Sequence, residues 1–488
     1  MKYFSTRNKN NIVDSKQAIL HGLSEDGGLY LPTSFPHVLP LEKLQPFSYH
    51  ELACHIIHLF FDEFNEEEIQ QCVHNAYDAK FDTEEITPVR QLKDCGLVEL
   101  FHGPTYAFKD VALSFLPQIM KYANDGKEIM ILTATSGDTG KAALEGFKDV
   151  EHTHLIVCYP EDGVSKIQKR QMQTSLGKNV SVLSINGNFD DCQRMVKKAY
   201  QDELIRDSLD TMVLSSANSI NIGRLVPQNV YYFYAYFHQV SKGIIGLNEE
   251  VDFVVPTGNF GDILAGYFAK LIGLPIHHLI SASNTNHVLS DFLSTGIYDR
   301  NRSFHETMSP SLDILISSNL ERLLYLSCED DSYVKELMSS LEKEGKYEID
   351  SSMKDRIQET FLGYWASEED CKKEIQRRYE EEKILVDPHT SVALSALRKH
   401  RELTGSTIPT IVLSTASIFK FPKSILESLM VEVPEDDFEA LNQLSSIANE
   451  EIPKNIQKLK ELPIRFNTCV EKEDVLSTFA SIIKEAKE

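Results

Sequence analysis

Lys109 stands in the run Gly103-Pro104-Thr105-Tyr106-Ala107-Phe108-Lys109-Asp110, at the predicted mouth of a helix. An amine lifted from water by aromatic neighbours such as Tyr106 and Phe108 loses basicity, because desolvation penalises the ammonium. In its neutral form it attacks an aldehyde and forms a Schiff base. A solvated lysine in a first helical turn would have the same spacing and none of this chemistry, so three further segments decide.

Thr257-Gly258-Asn259-Phe260-Gly261-Asp262 lies between the apolar run VDFVV and the helical run ILAGYFAKLIG. Its glycines let backbone N–H groups approach an anion, and the helix N-terminus adds donors, as in a phosphate cradle. Asp262 is expected to turn its carboxylate away and offer only its N–H, since two anions in contact repel. The run lacks both GxGxxG spacing and a GK[ST] ending, which disfavours a nucleotide. The alternative is a tight strand-to-helix turn capped by Asp262. Thr133 to Gly140 (TATSGDTG) precedes the helical run KAALEGF, and the hydroxyls of Thr135, Ser136 and Thr139 around it suit a substrate carboxylate or phosphate. Asp138 in that turn accepts from a cofactor hydroxyl, or else Asp138 or Thr139 caps the helix. Ser216 to Arg224 (SANSINIGR) supplies Asn218, Ser219 and the forked guanidinium of Arg224, which together suit a phosphate.

These segments need a frame to hold them. From Leu97 to Ala282 the apolar runs EIMILTAT, HLIVCYP, VSVLSI, TMVLSS, VDFVVP and HHLISAS each precede a helix or turn signal. That alternation predicts an α/β chain with parallel strands covered by helices on both faces. Residues 1–95 read as a small N-terminal domain: HGLSEDGGLYLP turns into a strand, and Tyr49 to Tyr77 forms two amphipathic helices with an acidic joint at Glu66 to Glu68. Residues 96–430 form the main region, with an acidic helical stretch at 328–382 that offers no strand, and a last strand at Thr410 to Ser414. Residues 431–488 read as a charged, mainly helical extension. The 488 residues carry 49 basic and 73 acidic side chains, a net charge of -24, which argues against nucleic acid or an anionic membrane as partner. Eight cysteines without a CxxC pair offer neither a zinc cage nor a disulfide framework, so no metal is expected and a reducing cytoplasm fits. No apolar run approaches the roughly 20 residues of a spanning helix, and the N-terminus lacks an apolar signal core.

Taken in chain order, GLSEDGGLYLP, LFHGPTYAFKD, TATSGDTG, SANSINIGR, PTGNFGD, Asp387-Pro388-His389-Thr390 and Leu413-Ser414-Thr415-Ala416 resemble the threonine synthase family. The resemblance implies pyridoxal 5'-phosphate as cofactor, a fold type II architecture, and conversion of O-phospho-L-homoserine and water to L-threonine and phosphate. It implies that Lys109 carries the cofactor, that residues 258–262 hold its phosphate, and that Thr415 faces the pyridine nitrogen. Ser136, Thr139, Asn218, Ser219 and Arg224 would then retain the leaving phosphate. The chain departs from the family at Ser417-Ile418-Phe419, where His-Pro-Ala is usual before Lys420-Phe421, so the pocket's fine shape is open. A phospho-amino-acid lyase or threonine dehydratase on the same scaffold, and a non-catalytic ligand-binding relative, are the competing readings. Monomer and homodimer both remain open.

Overall fold

The computed structural model describes residues 1–162 and 164–487. Two parallel sheets dominate. The first has six strands in the order Phe361–Trp365, Ile276–Ser283, Val251–Pro256, Thr410–Ser414, Gly96–Glu99 and Val89–Gln91, all parallel except the last pair. The second has five parallel strands in the order Cys469–Val470, Val180–Ile185, Thr153–Pro160, Ile129–Ala134 and Val213–Ser216. Helices cover both sheets, which is why a central strand such as Ile129–Ala134 is apolar throughout and buried at every position. The N-terminal strands Asn8–Asp14, Lys2–Ser5 and Tyr30–Pro32 form a separate antiparallel sheet.

The helix that begins at Lys109, Lys109–Ala123, lies against Asp138–Phe147. Their approach is so close that a Cβ at Gly146 would stand 1.9 Å from the carbonyl oxygen of Leu113, so only glycine fits. On its other side runs Ile222–Ser241, 20 residues long and almost wholly buried between Lys109–Ala123, Tyr49–Phe60 and Gly261–Leu271. Among the described residues, no helix is long and apolar enough to cross a membrane.

Two expectations need correction. The acidic stretch at 328–382 contains strands: Lys346–Glu348 pairs with Ile297–Asp299, and Phe361–Trp365 forms the edge of the six-stranded sheet. The residues around FLGYW are charged and helical, and an edge strand that is only half-buried lacks the long apolar run that marks a central one. Glu66 to Glu68 is not a joint but the first turn of Glu66–Tyr77, where three carboxylates favour the helix N-terminus and Asn65 closes a capping box with Glu68. The extension beyond 431 is mostly helical, yet Cys469–Val470 joins the five-stranded sheet and Val475–Glu485 covers its outer face through Val475, Phe479 and Ile483.

Candidate active site

Four strands, two from each sheet, end at one place. Ala134, Ser216, Pro256 and Ser414 are their last residues, and the loops that follow carry Thr135 to Thr139, Asn218 to Arg224, Thr257 to Asp262 and Thr415. Ligand sites in open parallel sheets gather at these carboxyl ends. Here the loops line a cleft of about 1070 Å³, into which Lys109 projects from the start of its helix. The cleft brings together Lys109, Thr135, Ser136, Asp138, Thr139, Asn218, Ser219, Arg224, all of 258–262 and Thr415.

The Gly103–Asp110 loop is shaped from within and from without. Asp110 accepts from the Thr105 N–H at 2.8 Å and its hydroxyl at 2.6 Å, and burial pushes the Asp110 carboxyl up to about 6 against those bonds. Phe108 donates its N–H to the Thr415 carbonyl at 2.9 Å, tying the lysine loop to the last strand. The Lys109 ammonium lies 5.0 Å from the Phe108 ring centre, but Tyr106, at a positive φ of 61°, turns its ring into the core behind the six-stranded sheet. Only one of the two expected aromatic neighbours therefore faces the amine. Burial, then the nearby Lys420 and Arg224 charges, lower the Lys109 pKa, while Asp138 opposes the shift.

Asp138 is the electrostatic hub. Its carboxylate accepts from Lys420 Nζ at 2.8 Å and Gln168 Nε2 at 3.0 Å, and lies 3.7 Å from Lys109 Nζ. Burial raises its pKa, but Lys420 and then Lys109 outweigh that and hold the carboxyl well below the usual carboxylate range. Neither Asp138 nor Thr139 caps the helix, which begins after Gly137 without a side-chain cap. Thr135 instead holds the turn open by accepting the N–H groups of Gly137 and Gly140.

The 258–262 loop is gripped from the side by 311–319. Ser317 donates to the Gly258 carbonyl at 2.8 Å, and the Asn319 side chain donates to the Asn259 carbonyl at 3.0 Å. Phe260 adopts a left-handed φ of 60°, and the helix Gly261–Leu271 starts there with no side-chain cap, leaving its first N–H groups for a ligand. Asp262 does turn its carboxyl away: the Tyr231 and Tyr232 hydroxyls donate to it at 2.5 and 3.0 Å, and burial raises it to about 6. Arg224 is fully enclosed. One N–H reaches the Ala217 carbonyl at 2.8 Å, while Nε, like the Asn218 amide oxygen, has no partner among the described residues. Burial lowers the Arg224 pKa to about 10. A buried, incompletely satisfied guanidinium beside an uncapped helix N-terminus and a desolvated lysine fits a phosphorylated aldehyde and a second anion.

Several further residues join the site: Lys420 and His389, which the sequence shows only within runs that resemble the family, and Ser311 and Arg322, which carry no readable signal. Lys420 also donates to the Thr105 carbonyl at 2.8 Å, so it joins the lysine loop to Asp138. Ser311 accepts from Lys109 at 3.2 Å, and its N–H donates to Nε2 of His389, whose Nδ1 faces Asp387 at 2.8 Å. The run from Asp387 to Thr390 thus caps Pro388–Thr404 and orients a histidine at the cleft wall. Buried Arg322 reaches the carbonyls of Tyr30 and Ile220 and the side chain of Asn319, joining the N-terminal strand to both anion loops. Ser417, Ile418 and Phe419 are buried but do not line the cleft; Ile418 and Phe419 enter the core behind the sheet. The departure from the family pattern there leaves the cleft wall itself untouched.

Family models match the chain from end to end: "Threonine synthase N terminus" over residues 2–77, "Pyridoxal-phosphate dependent enzyme" over 85–414 and "Threonine synthase, C-terminal" over 390–479. A threonine synthase of Pseudomonas aeruginosa is 36% identical over 442 residues, covering 89% of this chain and 92% of the relative. The human Threonine synthase-like 1 is 38% identical over 433 residues, covering 85% of this chain, which spans 58% of that longer protein. A pyridoxal-phosphate-bound threonine synthase from Brucella melitensis superposes with a TM-score of 0.88 at 36% identity, covering 100% of this chain and 99% of the other. With the lysine loop, the anion loops and the flanking segments all matched in one order, the chain belongs to the threonine synthase family of pyridoxal-phosphate dependent enzymes and has their type II fold.

Proposed function

We propose that this chain converts O-phospho-L-homoserine and water to L-threonine and phosphate, acting as a carbon-oxygen lyase on a phosphorylated substrate. The observation that carries the reading is Arg224: a buried guanidinium with an unpartnered Nε, facing the same cleft as Lys109 and the 258–262 loop. One anion site serves the cofactor, and a second calls for a phosphorylated substrate. Gly258, Asn259, Phe260, Gly261 and Asp262 would hold the cofactor phosphate through backbone N–H groups. Thr415 would offer a neutral hydroxyl to the ring nitrogen, and Asp138 would accept from the ring hydroxyl. When bound, pyridoxal phosphate supplies an aldehyde for amines and an electron sink for the substrate's α-carbon.

Lys109 would tether the cofactor and would serve as the base that removes the substrate's α-proton and later returns protons. Its lowered pKa suits that work, because a neutral amine is the form that accepts a proton. Thr135, Ser136 and Thr139 would orient the substrate's anionic groups. Ser136, Thr139, Asn218, Ser219 and Arg224 would keep the phosphate in place as it departs from the γ-carbon, positioned to direct water to the β-carbon. We also infer a division into an N-terminal part to residue 95, a catalytic region to 430 and a C-terminal extension. Eight free cysteines suit a reducing compartment such as the cytoplasm. The test offers the cofactor-loaded protein O-phosphohomoserine, O-phosphothreonine and threonine in turn. Threonine and phosphate in equal amounts from the first alone support the proposal. A 2-oxo acid from either of the others marks a lyase or dehydratase, and no turnover of any marks a ligand-binding relative.

A further inference from the structure

At the opposite end of the strand that leads into the 258–262 loop stands a second cluster of chemistry-bearing side chains. Asp252 is the second residue of Val251–Pro256, and His277 and His278 lie near the start of the neighbouring strand Ile276–Ser283. His400 comes from the helix Pro388–Thr404, which packs across both strands. Five residues of extended chain, about 16 Å, separate Asp252 from Thr257 at the cleft.

Asp252 is the hub of the cluster. His277 Nδ1 lies 3.0 Å from its Oδ1, His278 Nδ1 3.6 Å from the same oxygen, and His400 Nε2 3.8 Å from Oδ2. Donor atoms of Asp252, His277 and His278 fall within 4.8 Å of one another. Asp252 Oδ2, His278 Nδ1 and His400 Nε2 are all buried and have no hydrogen-bond partner among the described residues. Asp252 is 0% exposed and His400 3%, so these unsatisfied atoms cannot be left to solvent. A carboxylate oxygen of Asp252 and Nδ1 of His278, buried without partners, cost free energy that a shared cation would recover.

We propose that Asp252, His277 and His278 form a binding site for a divalent transition metal of the zinc type, separate from the catalytic cleft, with His400 flanking the carboxylate and the fourth position open to water. Metal–ligand bonds of about 2.0 to 2.1 Å in a tetrahedron place neighbouring donors roughly 3.3 Å apart, and the 3.0 and 3.6 Å spacings of the His277 and His278 Nδ1 atoms from Asp252 Oδ1 bracket that value. Two imidazoles and one carboxylate suit zinc, cobalt or nickel, whereas calcium and magnesium need mostly oxygen ligands. His400, beside the other carboxylate oxygen, is itself held by Tyr364, whose OH lies 3.1 Å from its Nδ1. His277, 36% exposed at its side chain, gives the ion a path in from solvent.

A second histidine–aspartate group provides the control. His50, His74 and Asp78 cluster on the surface between Tyr49–Phe60 and Glu66–Tyr77, where the two Asp78 oxygens face one ring each, at 2.7 and 3.0 Å; Asp252 instead meets the His277 ring and the His278 backbone N–H through Oδ1 alone and leaves Oδ2 without a partner among the described residues. The experiment titrates Zn²⁺, and Co²⁺ as a spectroscopic probe, into metal-stripped holoenzyme, with cofactor absorbance reporting intact folding. Wild type should bind one equivalent of Zn²⁺, show the visible bands of tetrahedral Co²⁺ and gain thermal stability. His278→Ala and Asp252→Asn should weaken binding by at least about 100-fold, and His74→Ala not at all. Should Asp252→Asn fail to fold, His278→Ala alone decides. The proposal is overturned if wild type takes up no zinc, if His278→Ala binds as wild type does, or if His74→Ala is the variant that loses the ion.

Discussion

Lys109 and Arg224 line the same cleft, and the proposed division of work between amine chemistry at the first and anion binding at the second can be tested by removing each separately. Lys109→Ala is expected to lose covalent cofactor attachment, read as the loss of borohydride-trapped cofactor, and to lower turnover by at least ~10²- to 10⁴-fold. Near-normal threonine formation would contradict the assignment. Arg224→Ala should keep the cofactor yet raise the substrate requirement about 10- to 100-fold, since a charged hydrogen bond contributes roughly 1.5 to 3 kcal/mol. Titrating cofactor into apoprotein and substrate into holoprotein checks this, and weakened cofactor binding with unchanged substrate affinity would put Arg224 in the other site. Both residues were legible in the sequence because each sits in a short run whose glycines and hydroxyls announce a turn. Ser311 was not, and Lys420 and His389 were named only within runs that resemble the family, without a role. Lys420 meets Asp138 from 282 positions further along the chain, and nothing local distinguishes it from any lysine after an apolar turn. The histidines of the inferred metal site escaped for a similar reason: their hub, Asp252, lies on another strand.

At the scale of elements, the lysine loop is braced by a histidine that the sequence presents only as the start of HGPTYAFKD. His102 bridges Asp82 at 2.6 Å and Glu99 at 3.0 Å. Burial alone would lower its pKa, but the two carboxylates raise it from 6.5 to about 9. A raised folded pKa means stabilisation that is complete below pH 6.5 and lost as pH rises through about 9. That rise corresponds to at most about 3 kcal/mol, reduced by solvent at the exposed Asp82. His102→Asn should therefore flatten the fall in unfolding free energy across that window; an unchanged slope would contradict the bridge. The glycines of the 258–262 loop differ from one another. A Cβ at Gly258 would stand 2.5 Å from the Ser311 carbonyl oxygen, whereas at Gly261 the nearest atom is at 3.4 Å. Gly258→Ala should displace the 311–319 segment and lower both thermal stability and cofactor affinity, while Gly261→Ala keeps its melting temperature. Equal stability in the two variants would show that the segment yields freely. The sequence supports glycine at both positions for one reason, close approach of an anion, but the structure adds a protein neighbour at only one.

For the whole molecule, the central strands were readable because parallel sheets buried on both faces leave long apolar runs, as in IMILTA and VDFVVP. How two such sheets face each other was not readable, since the contacts that fix it are single side chains such as Arg322, reaching between the N-terminal strand and both anion loops. The resulting cleft holds Lys109 with Arg224 and the 258–262 loop, and the proposed reaction is defined by which bond the amine helps to break. The most direct measurement is turnover of O-phospho-L-homoserine in water labelled with heavy oxygen. Elimination followed by addition of water breaks the carbon–oxygen bond, so the label should appear in the hydroxyl of threonine and be absent from the released phosphate. Labelled phosphate accompanied by homoserine would mean hydrolysis at phosphorus, and would contradict the assignment of Lys109 as the base of an elimination in this cleft.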